Sequence, residues 1–396
     1  MPSPRSEVAL KRGMAYSGGM SEGATAPTPW IVGPRYDLGW FFGGALASVG
    51  VLALHFGAHV PIVILYWTWL LGFDGPHIAA AFTRTYADRD EWQNRRGTLV
   101  LSLLLFAIGP AFLLLNLLAR SPEPFQLFLG IAAFYGYYHV VRQHYGFLAL
   151  YKARTRESSR IDFQIDRAFL YVTCWAPYVY FLFTHPRARA LLRLPPGGPA
   201  TPWEKAAVFL VLGVWGAVGA AFLVRLAARF KERIRKPYVP YLLIMASLYG
   251  VAYVVVARFE PVYAPSRGPD QDFLLLSIVV TIFHNVQYLG LVWFHNRNRY
   301  GRADGDPGPA GAINRSPARF LGACLAFSVV IYSLSAAATG VFPGFQLLME
   351  TRVGPFTANQ LGLCVWWGIG LNHYYLDQKI WRIRGDASLR RNLGFI

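Results

Sequence analysis

Six of the nine histidines in this 396-residue chain lie in or at the edge of long apolar runs: His77, His139, His144, His284, His295 and His373. An ionisable side chain in hydrocarbon is costly, so it normally faces a protein interior, a partner or a cavity. Imidazole suits iron, copper and zinc better than magnesium or calcium, and several imidazoles at one depth would build a metal site inside a membrane. At the helical rise per residue, His77 lies about 10 Å before Arg84, and His144 and His139 about 12 Å and 20 Å before Lys152. On the same scale His284 lies about 20 Å before Arg297 and His373 about 9 Å before Lys379, with His295 almost at the edge. These six are expected in one slab on one side, whereas His55, His59 and His185 fall near the opposite surface.

The neighbours fit inward-facing positions. His284, Gln287, Tyr288, Leu291 and His295 follow the spacing of a single helix face, and Tyr135, His139 and Arg142 share another. His144 is turned about 140° from His139 on a regular helix, so the two meet one ion only across a local bend, or else serve two metals. Asp377 follows His373 by four residues and can ligate beside it or orient its ring. Asp74 bears an i, i+3 relation to His77 within Gly72-Phe73-Asp74-Gly75-Pro76-His77, where Pro76 is expected to kink the helix and free backbone groups. The expected metal set is therefore His77, His139, His144, His284, His373 and Asp377. Asp74, Gln287, His295 and Asn372 are candidate further ligands or supports. Arg142, Tyr135 and Tyr288 are candidate substrate contacts, with Arg142 alternatively paired to Asp74 or Asp377.

The elements that must hold these residues are helices. The chain is 54% hydrophobic and 15% charged, against about 25% charged in soluble domains, which points to an all-α, polytopic integral membrane bundle. About ten runs approach the roughly 20 apolar residues of a bilayer crossing: 38–57, 60–82, 98–118, 125–150, 166–185, 204–224, 238–257, 272–295, 318–342 and 357–378. A flexible cytoplasmic tail (1–37), a transmembrane domain (38–380) and a basic cytoplasmic tail (381–396) follow. Residues 1–30 are rich in Gly, Ser and Pro and lack the apolar core of a signal peptide. The loop at 298–317 reads as a flexible linker.

Lys and Arg concentrate in alternate connections: Arg84/Arg89/Arg95/Arg96, Lys152/Arg154/Arg156/Arg160, Arg229/Lys231/Arg233/Arg235/Lys236 and Arg297/Arg299/Arg302/Arg315. The intervening connections are poorer, with Arg120 or Arg352 alone, Arg187/Arg189/Arg193, and Arg258/Arg267. This positive-inside pattern predicts both termini in the cytoplasm, in the plasma (bacterial inner) membrane. The net charge of +17 is then a topology signal and an attraction to anionic membrane lipids, and no nucleic acid partner is expected. Trp30, Trp40, Trp92, Trp203 and Trp381 are expected in an interfacial belt. Cys174, Cys324 and Cys364 lack metal or disulfide spacing and are expected to be small core residues.

The run His139-Val140-Val141-Arg142-Gln143-His144 resembles one histidine box of membrane non-haem iron enzymes such as fatty-acid desaturases and hydroxylases; their HxxHH box is absent. Gly75-Pro76-His77 and the dispersed histidines are similar to the Brp/Blh family of polytopic carotene-cleaving dioxygenases. The resemblance implies non-haem iron, dioxygen and a lipid-soluble substrate, with His77 an iron ligand by motif; it does not imply carotene or fatty acid in particular. No fused ferredoxin or cytochrome domain is visible, so a desaturase-like reaction would need a separate electron donor. Other classes use the same residues: a haem protein with two axial histidines, a transporter or proton-coupled carrier with a His/Asp/Arg relay, or an acyl- or prenyl-transferase built on Asn372-His373.

Overall fold

A computed structural model describes residues 28–157, 159–195, 198–258, 271–301, 307–336 and 351–395. Most of the expected N-terminal tail lies outside them, as do residues 337–342 of the ninth expected span, Pro196, Gly197, Arg267 and Arg302. The fold is all-α, and its long helices follow the apolar runs. They are α1 (Pro34–Gly57), α2 (Ile62–Trp69 and Gly75–Thr83, joined through a π-helical turn at Leu70–Asp74), α3 (Arg89–Ala119), α4 (Glu123–Arg154) and α5 (Arg160–Thr184). Then come α6 (Pro202–Ala228), α7 (Tyr238–Val255), α8 (Gln271–Tyr300), α9 (Pro317–Ala336) and α10 (Ala358–Ile380). Among the described residues, five helices are long and apolar enough to cross a membrane: α1, α3, α6, α7 and α8 from Leu274 onward. The chain is thus a helical membrane protein.

Local chemistry sets the helix ends. α3 begins well before the expected residue 98, because Asp88 caps it through the Asp90 and Glu91 amides and two acids occupy its first turn. Thr357 and Gln360 form a reciprocal capping box that starts α10, directly after a two-residue antiparallel hairpin pairing Arg352 with Thr357 and Val353 with Phe356.

Pro76 acts through a π-turn. The Gly75 amide bonds to Leu70 O, which frees the Leu71 carbonyl, and Ser328 Oγ on α9 donates to it at 2.9 Å. Gly75 has to be small: a Cβ there would lie 2.0 Å from Ser328 Oγ. That close approach seats the segment bearing His77 against α9.

α8 is the central helix, with 83% of its apolar window buried, whereas α6 is peripheral at 6% and packs on α5. α10 packs against α2, α3, α4 and α9, and α8 against α1, α2, α4 and α7. The expected basic tail is not free. Its short helix Ala387–Asn392 packs on α8 with Leu389 and Leu393 buried, and Arg154 donates to the Leu393, Gly394 and Ile31 carbonyls. That contact brings the N-terminal and C-terminal described segments to one end, together with the α4–α5 connection. The α2–α3 and α8–α9 connections join them through Arg95–Asp386 and Arg299–Asp88.

The basic residues there also stabilise the fold, beyond the topological role expected of them. Lys152 and Arg233 both pair with buried Asp166 at 2.5 Å, and Arg225 pairs with Asp162. Removing one partner from such a buried set costs about 3–5 kcal/mol. Of the five tryptophans expected at an interface, Trp203 is exposed and the other four are half-buried, Trp381 lying under the Arg84 guanidinium at 4.1 Å. The three cysteines are free and buried, as expected.

Glu157, in the α4–α5 connection, accepts from Lys236 Nζ at 2.8 Å and from Tyr238 OH at 3.0 Å. Burial raises its carboxyl, but these bonds and the Lys152 and Lys236 charges outweigh burial and hold it below its ordinary value. A depressed folded-state pKa contributes stability above the ordinary value of 4.5, and that stability is lost as pH falls through the lower folded value. Glu157→Gln should therefore melt earlier than wild type at neutral pH, with the difference closing on acidification below 4.5. Thermal unfolding in detergent checks this, and parallel curves would refute it.

Candidate metal centre

Four helices each contribute one imidazole to a closed ring. The His77 ring (α2) lies 5.1 Å from His284 (α8), His284 lies 5.1 Å from His139 (α4), His139 lies 5.0 Å from His373 (α10), and His373 returns to His77 at 4.8 Å. All four are at least 95% buried. The candidate ligand atoms of His77, His284 and His373 fall within 4.8 Å of one another, and so do those of His139, His373 and Asp377. His373 belongs to both groups.

Five ring nitrogens in this ring have no hydrogen-bond partner: His77 Nε2, His139 Nε2, His284 Nδ1, and both nitrogens of His373. Each unsatisfied buried polar group costs about 1–3 kcal/mol, so a bound group that takes up these nitrogens would stabilise the centre. A metal ion would satisfy several of these lone pairs at once. The donor set of neutral imidazoles and one carboxylate fits iron, copper or zinc.

Carboxylates and tyrosines hold the rings. Asp377 Oδ2 lies 3.6 Å from His373 Nε2 and 3.7 Å from His139 Nε2, and its other oxygen accepts from Tyr288 OH at 2.5 Å. Asp74 Oδ1 lies 3.6 Å from His77 Nδ1, and Asp74 Oδ2 accepts from Tyr332 OH at 2.6 Å. Tyr288 packs against His77, His284 and His373. Tyr374 stacks on His139 at 4.4 Å, and Gly136 leaves room for its hydroxyl, which would lie 3.0 Å from a Cβ there.

His144 is not brought into either group. α4 runs unbroken, so the 140° offset persists; its Nδ1 lies 3.0 Å from Tyr241 OH and its ring packs on Phe283 and Tyr249, with Nε2 unpartnered. His295 stands apart, between Asn296 (3.0 Å) and Asn392 (3.4 Å). Gln287 donates to the Phe41 carbonyl at 2.7 Å and Asn372 donates to Tyr86 OH at 2.7 Å, so both tie helices together. Arg142 pairs with neither Asp74 nor Asp377: it is exposed, donates to Tyr171 OH at 2.6 Å and lies over Tyr145. The Tyr135 hydroxyl accepts from Gln378, and its ring lies 5.8 Å from Tyr374.

Several contributors were not singled out from sequence. Tyr332 is distant in the chain from Asp74, and Tyr374 is one aromatic among many. Gln143 donates to the His284 carbonyl at 2.8 Å and links α4 to α8. Asn285, held by Thr281 and Trp69, brings its amide to 3.3 Å from His77 Nδ1. Tyr374, Asn285 and Gln143 carried a sequence signal, as direct neighbours of His373, His284 and His144. Comparisons with protein-family models, with curated proteins and with solved structures find no match to this chain.

Removing two ring histidines together, as in His77→Ala/His373→Ala, should abolish metal retention while the protein stays membrane-inserted. His144→Ala and His295→Ala should retain metal. Asp377→Asn should weaken metal affinity about 10–100-fold, read by competition against a chelator. Full metal content in the double variant would remove the basis for a metal centre.

Proposed function

We propose that His77, His139, His284 and His373, with Asp377, hold non-haem iron in an oxidoreductase that oxidises a lipid-soluble substrate with dioxygen. The observation that carries this reading is the closed ring of four buried imidazoles with unpartnered nitrogens. Iron held there would supply the activation of dioxygen. The chain's own residues would exclude water through the aromatic and aliphatic packing around the ring, fix the His139 plane through Tyr374, and orient Asp377 through Tyr288. The edge-to-face contacts among the four rings leave no slot for a porphyrin, which favours a bare ion over haem.

Substrate would arrive from the lipid. Tyr138 is exposed on α4, and Tyr135 and Tyr374 lead from that surface to His139. Likeness to the Brp/Blh class supports the same chemistry through Gly75-Pro76-His77, whereas only His139 of the His139–His144 box belongs to the ring. A desaturase-like reaction would draw on a separate electron donor. The reading places about ten spans in the plasma (bacterial inner) membrane, with both termini cytoplasmic. In its support, the Arg-rich connections and both described terminal segments gather at one end, next to anionic lipid.

Metal analysis and an optical spectrum of detergent-purified protein from iron-replete cells test the proposal. One or two iron atoms per chain without a Soret band are expected, followed by oxygen uptake on addition of the right lipid. A Soret band, or no stoichiometric metal after adding back iron and zinc, would overturn it.

A further inference from the structure

A second polar feature lies toward the aqueous end of α2, apart from the histidine ring. A cavity of ≈ 330 Å³ is bounded by Arg84, the start of α3, the His295–Arg299 end of α8 and residues 385–389. Asn94, Gly385 and Ala387 on its lining are exposed, so it is open to water.

Arg84 is only 2% exposed. Its Nη2 donates to the Ile380 carbonyl at 3.3 Å and its guanidinium lies over Trp381. Nε and Nη1 have no hydrogen-bond partner, and among the described residues no carboxylate forms an ion pair with it. Glu91 and Asp386 act on this guanidinium only across a distance, so its desolvation is repaid in part.

The cavity is not a basic patch. Arg84, Arg95 and Arg299 face it together with Asp90, Glu91 and Asp386. Each acid is ion-paired with Arg95 or Arg299, although Glu91 Oε2 makes no hydrogen bond. Asp386 accepts from Arg95 Nη2 at 2.5 Å and from the Leu389 amide at 2.8 Å. Glu91 lies 3.3 Å from Arg95 Nε, and Asp90 lies 3.5 Å from Arg299. Arg84 lines the cavity and keeps two donors without a hydrogen-bond partner.

We propose that this cavity binds an anionic group, a phosphate or a carboxylate, through the free Nε and Nη1 donors of Arg84. A planar guanidinium with two free N–H groups matches two oxygens of such a group. The volume admits a phosphate together with part of a larger molecule. The site is linked to the histidine ring through Trp381, which lies under Arg84 and donates to Tyr288 OH at 3.5 Å. The shared chemistry is an oxyanion, carried either by a soluble molecule or by a lipid headgroup.

Phenylglyoxal modification of the wild-type protein, reconstituted in nanodiscs of phosphatidylcholine, tests this by peptide mass spectrometry. Inorganic phosphate or acetate at ten times its dissociation constant should slow Arg84 modification about tenfold, while exposed Arg142 reacts as before. Protection by either ion in neutral lipid identifies a soluble anion. Protection only when phosphatidic acid is included identifies a headgroup, and both results support the site. Arg84→Gln should lose any stabilisation against heat that phosphate gives the wild type. The proposal is overturned if Arg84 reacts at the same rate with phosphate, acetate and phosphatidic acid. It is also overturned if Arg84 never reacts, since it would then not open to the cavity. The labelling needs only wild-type protein, so it decides the matter even if Arg84→Gln does not fold.

Discussion

Buried imidazole needs a partner for its ring nitrogens, and in the centre of this protein four imidazoles have been moved out of water without being given enough of them. The surrounding architecture follows from where those rings sit. α8, enclosed by α1, α2, α4 and α7, projects His284 and Tyr288 into the ring, and α2, α4 and α10 each bring one histidine to it. Direct protein contacts are spent on holding the rings and not on satisfying them. Asp377 and Asp74 stand beyond hydrogen-bond range of the imidazoles, while tyrosine hydroxyls fix their far oxygens. Side chains locked in this manner pre-arrange a ligand set.

The backbone irregularity in α2 serves the same purpose. A proline one residue before His77 cannot complete a regular helical ladder, and the π-turn takes up the defect. The carbonyl it frees is answered by Ser328 from α9, and Gly75 lets the two helices touch. The irregular turn and its cross-helix serine together set the height and direction of His77.

At the aqueous end, charge does structural work that composition does not reveal. Lys152, Arg233 and Asp166 are buried together, and Arg154 clasps both terminal segments. Part of the basic excess thus braces connections internally, and Arg84 is left without an ion pair.

Helix class, the approximate apolar runs, the shared depth of the histidines and the i, i+4 relation of His373 to Asp377 were all legible in the sequence. They depend on the helix period and on the cost of charge in hydrocarbon, which act locally. Depth, however, is one coordinate, and it does not say which way a side chain turns about the bundle. His144 follows His139 by only five residues, yet an unbroken α4 carries it round to Tyr241, and His295 goes to Asn296 and Asn392. Arg142 shares a helix face with His139 but lies at the exposed surface. Tyr332 on Asp74, Gln143 on the His284 carbonyl and Arg84 on Trp381 join residues far apart in the chain. Local period and hydropathy supplied the candidates; rotation about each helix axis and packing between helices, which only the tertiary structure decides, selected among them.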